Sequence, residues 1–305
     1  MKADAVFEGG GIKGLAFLGA VEVMEEAGYQ WERLAGTSAG SIIAALLATG
    51  MSGKQIVSAF LSFPFHKLEV GIGLNRIPYL GPYLCLRMFN GLHSLDLLQQ
   101  WLETQFIQTG KIAFGDLPDQ KLKIVVTDVT RNKMSIIPDD LPSYGVDPNT
   151  FPLAAAVRMS CSVPFFFRPT FLENSLIVDG GVLSNYPVWI FDSKERPKWP
   201  TFGFRLSGAP LVAQPQKIKG PIRLGVALIR TMLEGQGQVF IDAHSAARTI
   251  TVKGIPYAAT DFRLTNTEKE ELVQLGRDAA VDFLIRWNFE QYVSVYRQTA
   301  TKMKV

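Results

Sequence analysis

Cysteine is scarce in this chain: Cys85 and Cys161 are the only two among 305 residues, and no C-x-x-C spacing occurs. That excludes a disulfide framework and fits a reducing compartment. Both thiols read as small buried apolar groups. Histidine is nearly as rare, so any histidine base must be one of three, His66, His93 or His244. Long apolar runs are missing as well. The longest uncharged stretch, residues 34–53, is broken by glycines, and its continuous apolar part, residues 42–48, is far short of the about 20 residues a membrane helix needs. The amino terminus carries Asp4 and Glu8 without an extended apolar stretch, unlike a signal peptide. Basic clusters are absent too. The 31 Lys and Arg against 28 Asp and Glu leave a net charge of +3 with no basic block, which argues against a nucleic-acid partner. The expectation is a cytoplasmic protein without a transmembrane segment, with peripheral contact to a membrane surface.

Apolar residues make up 47% of the chain, enough for a sizeable core. The opening reads strand, glycine turn, helix. Residues 3–7 are an apolar run, 8–11 read Glu-Gly-Gly-Gly, and apolar positions then recur every three or four residues up to Met24, with Gly28 as a C′ residue. A second strand over 31–35, a tight turn over 36–40 and an apolar helix over 41–49 repeat the pattern. Two such units in succession predict an α/β protein with a parallel sheet. Helices are expected over 95–108 (with Ser94 as N-cap), 151–159, 220–236 and 269–286. Strands are expected over 121–127, 133–137, 176–178 and 201–206. Residues 60–92 are rich in Phe, Leu, Tyr, Pro and Gly, with Lys67, Arg76 and Arg87 among them. They read either as an irregular packed insertion or as a lid or membrane-facing surface that includes Phe63 and Phe65. No repeat and no convincing domain boundary appears. The stretch 214–220 is a candidate loop, and the part from about 220 reads as helical.

Residues 36–40, Gly-Thr-Ser-Ala-Gly, are a G-x-S-x-G pattern between a strand and a helix. Such a turn projects Ser38 above the sheet end, beside free helix N–H groups that favour developing negative charge. The simpler alternative is a structural Gly-Ser turn. Residues 9–14, Gly-Gly-Gly-Ile-Lys-Gly, satisfy the dinucleotide fingerprint G-x-G-x-x-G, and they equally form a nest of N–H groups for an oxyanion. The fingerprint needs an acid at the end of the next strand, where this chain runs straight into its serine turn. Lys13 reads either as an anion contact or as a solvated lysine. A base for Ser38 could be His244 in the order Ser38, Asp179, His244, but too few strands precede Ser38 for an α/β-hydrolase. Asp179, followed by Gly180 and Gly181, could take the serine proton directly if burial raised its basicity. By itself that tripeptide is equally an Asp-Gly turn.

Four blocks in order resemble the patatin-like phospholipase family: residues 9–14, residues 36–40, residues 160–164 (Ser-Cys-Ser-Val-Pro) with Phe167 and Pro169, and residues 179–181. The resemblance, which covers roughly residues 6–187, implies a three-layer α/β/α fold with a mainly parallel sheet, and with no boundary evident the chain reads as a single domain over residues 1–305. It implies lipid acyl-ester hydrolysis through a Ser38–Asp179 dyad, with neither metal nor cofactor. Gly10 and Gly11 would supply the oxyanion donors, with Gly9, Lys13, Gly14, Gly36, Gly40, Gly180 and Gly181 as supporting motif positions. Glu8 stands where an aspartate is commoner, and Cys161 and Ser162 depart from the usual third block. Acyl transfer on the same dyad and a catalytically silent lipid-binding module are the alternatives. Acyl-carrier-protein transacylases have a similar fold, but they pair the serine with a histidine and a fixing arginine.

Overall fold

The computed structural model describes residues 1–69, 80–207, 218, 220–236 and 242–296. Its centre is an eight-stranded sheet. β1 (Lys2–Phe7), β2 (Gln30–Thr37), β4 (Leu122–Asp128), β9 (Thr201–Ser207) and β10 (Thr249–Lys253) run parallel in the order β10-β9-β1-β2-β4. β5 (Lys133–Ile137) and β8 (Ser175–Asp179) pair antiparallel with β4, and β7 (Thr170–Leu172) closes the edge on β8. A parallel pair needs a crossover, and the glycine-led helices supply it. α1 (Leu15–Glu26) links β1 to β2, after a 3₁₀ turn at Gly11–Gly14.

Helices flank the sheet in the expected three-layer α/β/α arrangement. α9 (Asn266–Arg286) packs along α1, and Arg277 on α9 donates to the buried Glu22 carboxylate on α1. Strand alternation divides the two sheet faces. Ala3, Ala5 and Phe7 join the main core, whereas Val6 and Ala35 pack with Phe191 in a smaller cluster. α2 (Ala39–Ala48) is buried from Gly40 to Ala48, as its all-round apolar sequence requires. α6 (Leu153–Ser160) packs on α2, β4 and β8.

Several boundaries differ from expectation. β2 runs on through Thr37, so the strand reaches the serine itself. α5 (Asp96–Thr109) starts one residue later than expected. Its N-cap is Leu95, while Ser94 Oγ accepts the Asp96 N–H at 3.1 Å. The described parts of the 60–92 stretch are more regular than its composition suggests. α3 (Gly53–Ser62) begins with a Ser52–Gln55 capping box and is followed by a 3₁₀ turn at Phe65–Glu69, then α4 (Leu80–Phe89). Phe63 and Phe65 do not face a membrane. They are 2% and 6% exposed and pack, with Phe60, around Trp101. Burying three aromatic rings gains more than wetting them. Arg76, Ile77 and Tyr79, and most of the 214–220 loop, lie outside the described residues. Among the described residues no helix is long and apolar enough to cross a membrane.

Candidate active site

Ser38 occupies the single position between β2 and α2, with φ 51° and ψ −128°. A non-glycine residue in that region costs on the order of 1–3 kcal/mol, so its surroundings must hold it there. Ser160 Oγ does so from α6. It accepts the Ser38 N–H at 2.8 Å and donates to the Val125 carbonyl of β4 at 2.7 Å. Ser41 donates to the Ser38 carbonyl through both N–H and Oγ, at 2.8 and 2.6 Å. The Ser38 side chain makes no capping bond to α2, so its hydroxyl is not consumed by the helix it precedes. Gly36 and Gly40 flank the turn. A Cβ on Gly40 would lie 2.4 Å from the Phe7 carbonyl, so only glycine lets α2 start this close to β1.

Sheet register brings Asp179 to the same height. Thr37 on β2 pairs with Val125 on β4, and the next residue, Val126, pairs with Asp179 on β8. The chain then folds back over β4 toward β2. Gly180 makes that crossing: a Cβ there would stand 2.2 Å from the Val125 carbonyl and 3.1 Å from Thr37 Cγ2. Thr37 Oγ1 holds the returning segment by donating to the Ser184 carbonyl at 3.0 Å. The Asp179 N–H donates to the Ser162 carbonyl at 2.9 Å, so the 160–162 block ties down both Ser38 and Asp179.

The Asp179 carboxylate is almost wholly buried, at 1% exposure. Its Oδ1 accepts the Gly181 N–H at 2.7 Å. Its Oδ2 has no hydrogen bond of standard length and angle among the described residues. Burial pushes its pKa from 3.8 up to about 7, against the opposing pull of the neighbouring Ser38 hydroxyl and the Gly181 N–H. The buried thiol of Cys161, beside Ser41 Oγ at 4.0 Å, is pushed well above its ordinary range by burial and by the Asp179 charge. That leaves it a packing group.

The 9–14 loop closes the third side. Asn185 clamps it: the Gly9 N–H donates to the Asn185 carbonyl at 3.0 Å, and Asn185 Nδ2 donates to the Gly9 carbonyl at 3.1 Å. A methyl group placed on Gly9 would come within 3.1 Å of Ser38 Cβ, so the loop lies against the serine. The N–H groups of Gly10 and Gly11 bond to no acceptor among the described residues. Gly14 sits behind them, against Ala39. Beneath the loop Glu8 is 1% exposed and accepts the Leu206 N–H at 2.6 Å. Burial raises its pKa from 4.5 to about 7, countered by the Leu206 N–H, Arg205, Lys13 and Asn185. Lys13 therefore acts on Glu8 electrostatically, a role its position in the motif did not announce. Thr37 and Ser160 lie inside the motif blocks and Asn185 outside them, and the motif reading gave none of the three its supporting role. Asn185, six residues past Asp179, offers no spacing cue; only the fold-back of the 180–185 segment brings it to Gly9.

His244 stands elsewhere. It precedes β10, and because β10 runs parallel to β2 through β9 and β1, residues before β10 lie at the opposite end of the sheet from Ser38. Its ring meets the Tyr292 hydroxyl at 2.5 Å. His93 lies in β3 (Gly91–His93) and packs on Phe166 at 4.7 Å. Among the described residues no group of three or more His, Cys, Asp or Glu could hold a metal ion. A cavity of about 700 Å³ between β10, α9 and the following helix is lined by neither Ser38 nor Asp179. What the arrangement can do is move a proton from a strained, accessible serine to a buried carboxylate, next to two free backbone donors.

Comparison with known proteins gives the family. Residues 5–192 match the family model described as patatin-like phospholipase. The uncharacterized protein YqhO of Bacillus subtilis is 37% identical over 297 residues, covering 95% of this chain and all of YqhO. An intracellular phospholipase A2 of Caenorhabditis elegans is 27% identical over 193 residues, and the match spans 59% of this chain but 16% of that protein. The crystal structure of VipD from Legionella pneumophila superposes with a TM-score of 0.56 at 17% identity, covering 93% of this chain and 66% of VipD. The likeness to VipD is one of fold. A family model covering more than half of the chain, with a relative alike over almost its whole length, establishes membership: this chain belongs to the patatin-like phospholipase family.

Proposed function

We propose that the protein is a serine hydrolase of lipid acyl esters, working through Ser38 and Asp179. The observation that carries this reading is the register-matched pair itself: a serine held at φ 51° opposite a buried carboxylate whose pKa is near 7. An ordinary aspartate is too weak a base to accept a serine proton at neutral pH; one titrating near 7 is matched to the task.

In the first step Asp179 Oδ2 takes the Ser38 proton while Ser38 Oγ bonds to the ester carbonyl carbon. The carbonyl oxygen becomes an oxyanion and rests on the Gly10 and Gly11 N–H groups. Collapse of this intermediate breaks the ester C–O bond, and Asp179 returns the proton to the leaving alcohol. Water then attacks the acyl-serine, with Asp179 again taking the proton, and the fatty acid leaves as Ser38 is restored. Membership of a phospholipase family, and the named activity of the worm relative, support a lipid as the acyl donor.

The test is fluorophosphonate labelling and p-nitrophenyl ester turnover on the wild type, Ser38→Ala and Asp179→Asn. Labelling and turnover should be lost in Ser38→Ala, and turnover in Asp179→Asn. A folded wild type that neither labels nor turns over ester would overturn the reading in favour of a silent lipid-binding module. Acyl ester product formed from an added alcohol, in place of free acid, would convert it to acyl transfer.

A further inference from the structure

Next to the site lies a small second sheet in which β3 pairs in parallel with β6 (Phe165–Phe167). α4 runs directly into β3 and packs on it. α7 (Pro221–Gln236) packs on β6 and on the Gly180–Val182 turn that follows Asp179. Gly225 of α7 faces the Phe165 ring, since a Cβ there would lie 3.4 Å from it. One ribbon thus joins two helices at the edge of the active site, and α7 touches the turn that carries the base.

Both helices leave large apolar side chains in the open. Leu224, Leu228 and Met232 are 49%, 55% and 47% exposed, and their i, i+4, i+8 spacing makes one stripe along α7. On α4, Tyr83 and Met88 are 52% and 61% exposed, and Phe165 between the helices is 40% exposed. Scattered exposed apolar residues need no explanation; a stripe along one helix, with further exposed apolar side chains on the ribbon it packs against and on that ribbon's other helix, does. The charges of these two helices have one prevailing sign. Their sequences hold Arg87, Arg223 and Arg230 against a single acid, Glu234. An amphipathic helix with basic residues and an open apolar edge suits the boundary of an anionic bilayer. A second copy of this chain would carry the same excess of basic residues in these two helices, which favours an anionic surface over self-association.

We propose that α4 and α7, joined by the β3–β6 ribbon, form a docking face for an anionic lipid surface, which places the Ser38–Asp179 site at the membrane boundary. This inference rests on the lipid-ester reading above. It assigns the membrane contact to Leu224, Leu228, Met232 and Met88 in place of the buried Phe63 and Phe65.

The experiment compares wild type with the triple variant L224Q/L228Q/M232Q by co-sedimentation with phosphatidylglycerol-containing vesicles and with pure phosphatidylcholine vesicles. Turnover of a short soluble p-nitrophenyl ester and size-exclusion elution are measured on the same samples. The wild type should bind the anionic vesicles, more weakly at raised salt. The triple variant should bind them about tenfold more weakly, with soluble-ester turnover unchanged. Wild-type protein that binds neither vesicle, or a variant that binds as wild type, overturns the proposal. So does a dimeric wild type that the variant makes monomeric, which would mark the face as a contact between copies. Equal loss of soluble-ester turnover would instead make α7 a support of the site and also overturn it. Vesicle binding without any ester turnover would sink the hydrolase reading alone, and turnover without binding would sink the docking face alone.

Discussion

Asp179 stores its reactivity as a stability cost. The unfolded chain ionises this carboxyl from about 3.8, while the folded protein keeps its proton until about 7. Stability from this group is therefore fully present below pH 3.8 and falls as pH rises toward 7, by a total on the order of 4 kcal/mol. Asp179→Asn should melt at a higher temperature than wild type at pH 8 and at nearly the same temperature at pH 4, read by circular dichroism. The same substitution should cut kcat about a thousandfold or more. In the wild type, kcat/KM should fall as pH drops through about 7, where Asp179 takes up its proton and can no longer act as base. Glu8 titrates in the same range, so the assignment needs variants. The limb should persist in Glu8→Gln and in a variant lacking all three histidines. Its disappearance in the histidine-free protein would return the base to a histidine.

Among the elements, α6 is the one whose end determines whether the serine turn is held. Ser160 Oγ is the only hydroxyl bridging the Ser38 N–H and the Val125 carbonyl among the described residues. Ser160→Ala removes both bonds, which should cost about 1–3 kcal/mol in urea unfolding. It should also lower kcat more than it raises KM, because the serine is displaced rather than the substrate pocket. Gly180→Ala tests the crossing over β4. The added methyl meets backbone at 2.2 Å, so the turn must shift and carry Asp179 with it. Ester turnover should drop at least tenfold even where circular dichroism still reports a folded sheet.

At the scale of the whole molecule, the segment that leaves the active site is pinned to the far strand. Arg248 is 1% exposed at the start of β10, and its guanidinium donates two bonds, at 2.7 and 2.8 Å, to the Asp192 carboxylate. Asp192→Ala would strand a buried cation, a loss of about 3–5 kcal/mol in thermal or urea unfolding. Soluble-ester kcat should change little in the fraction that remains folded, since the pair lies away from Ser38. A Glu substitution that restores the charge should recover part of the stability.

The strand–turn–helix units, the parallel sheet, the buried α2 and the family resemblance were all readable from residues close together in the chain. Spacing and glycine placement act locally, and locality is what a one-dimensional pattern preserves. Ser38 and Asp179 could be picked out as candidates for the same reason, each within its own short motif. Their meeting is not a local property. It follows from the register of β2 and β8 on either side of β4, and from the fold-back that carries Gly180 over Val125 and Asn185 to Gly9. The elevation of the Asp179 pKa is likewise tertiary, because burial is a sum over neighbours distant in sequence. The aromatic stretch at residues 60–92 marks the same limit. Its composition suits a core or a membrane surface equally, and only packing around Trp101 decided that Phe63 and Phe65 are core.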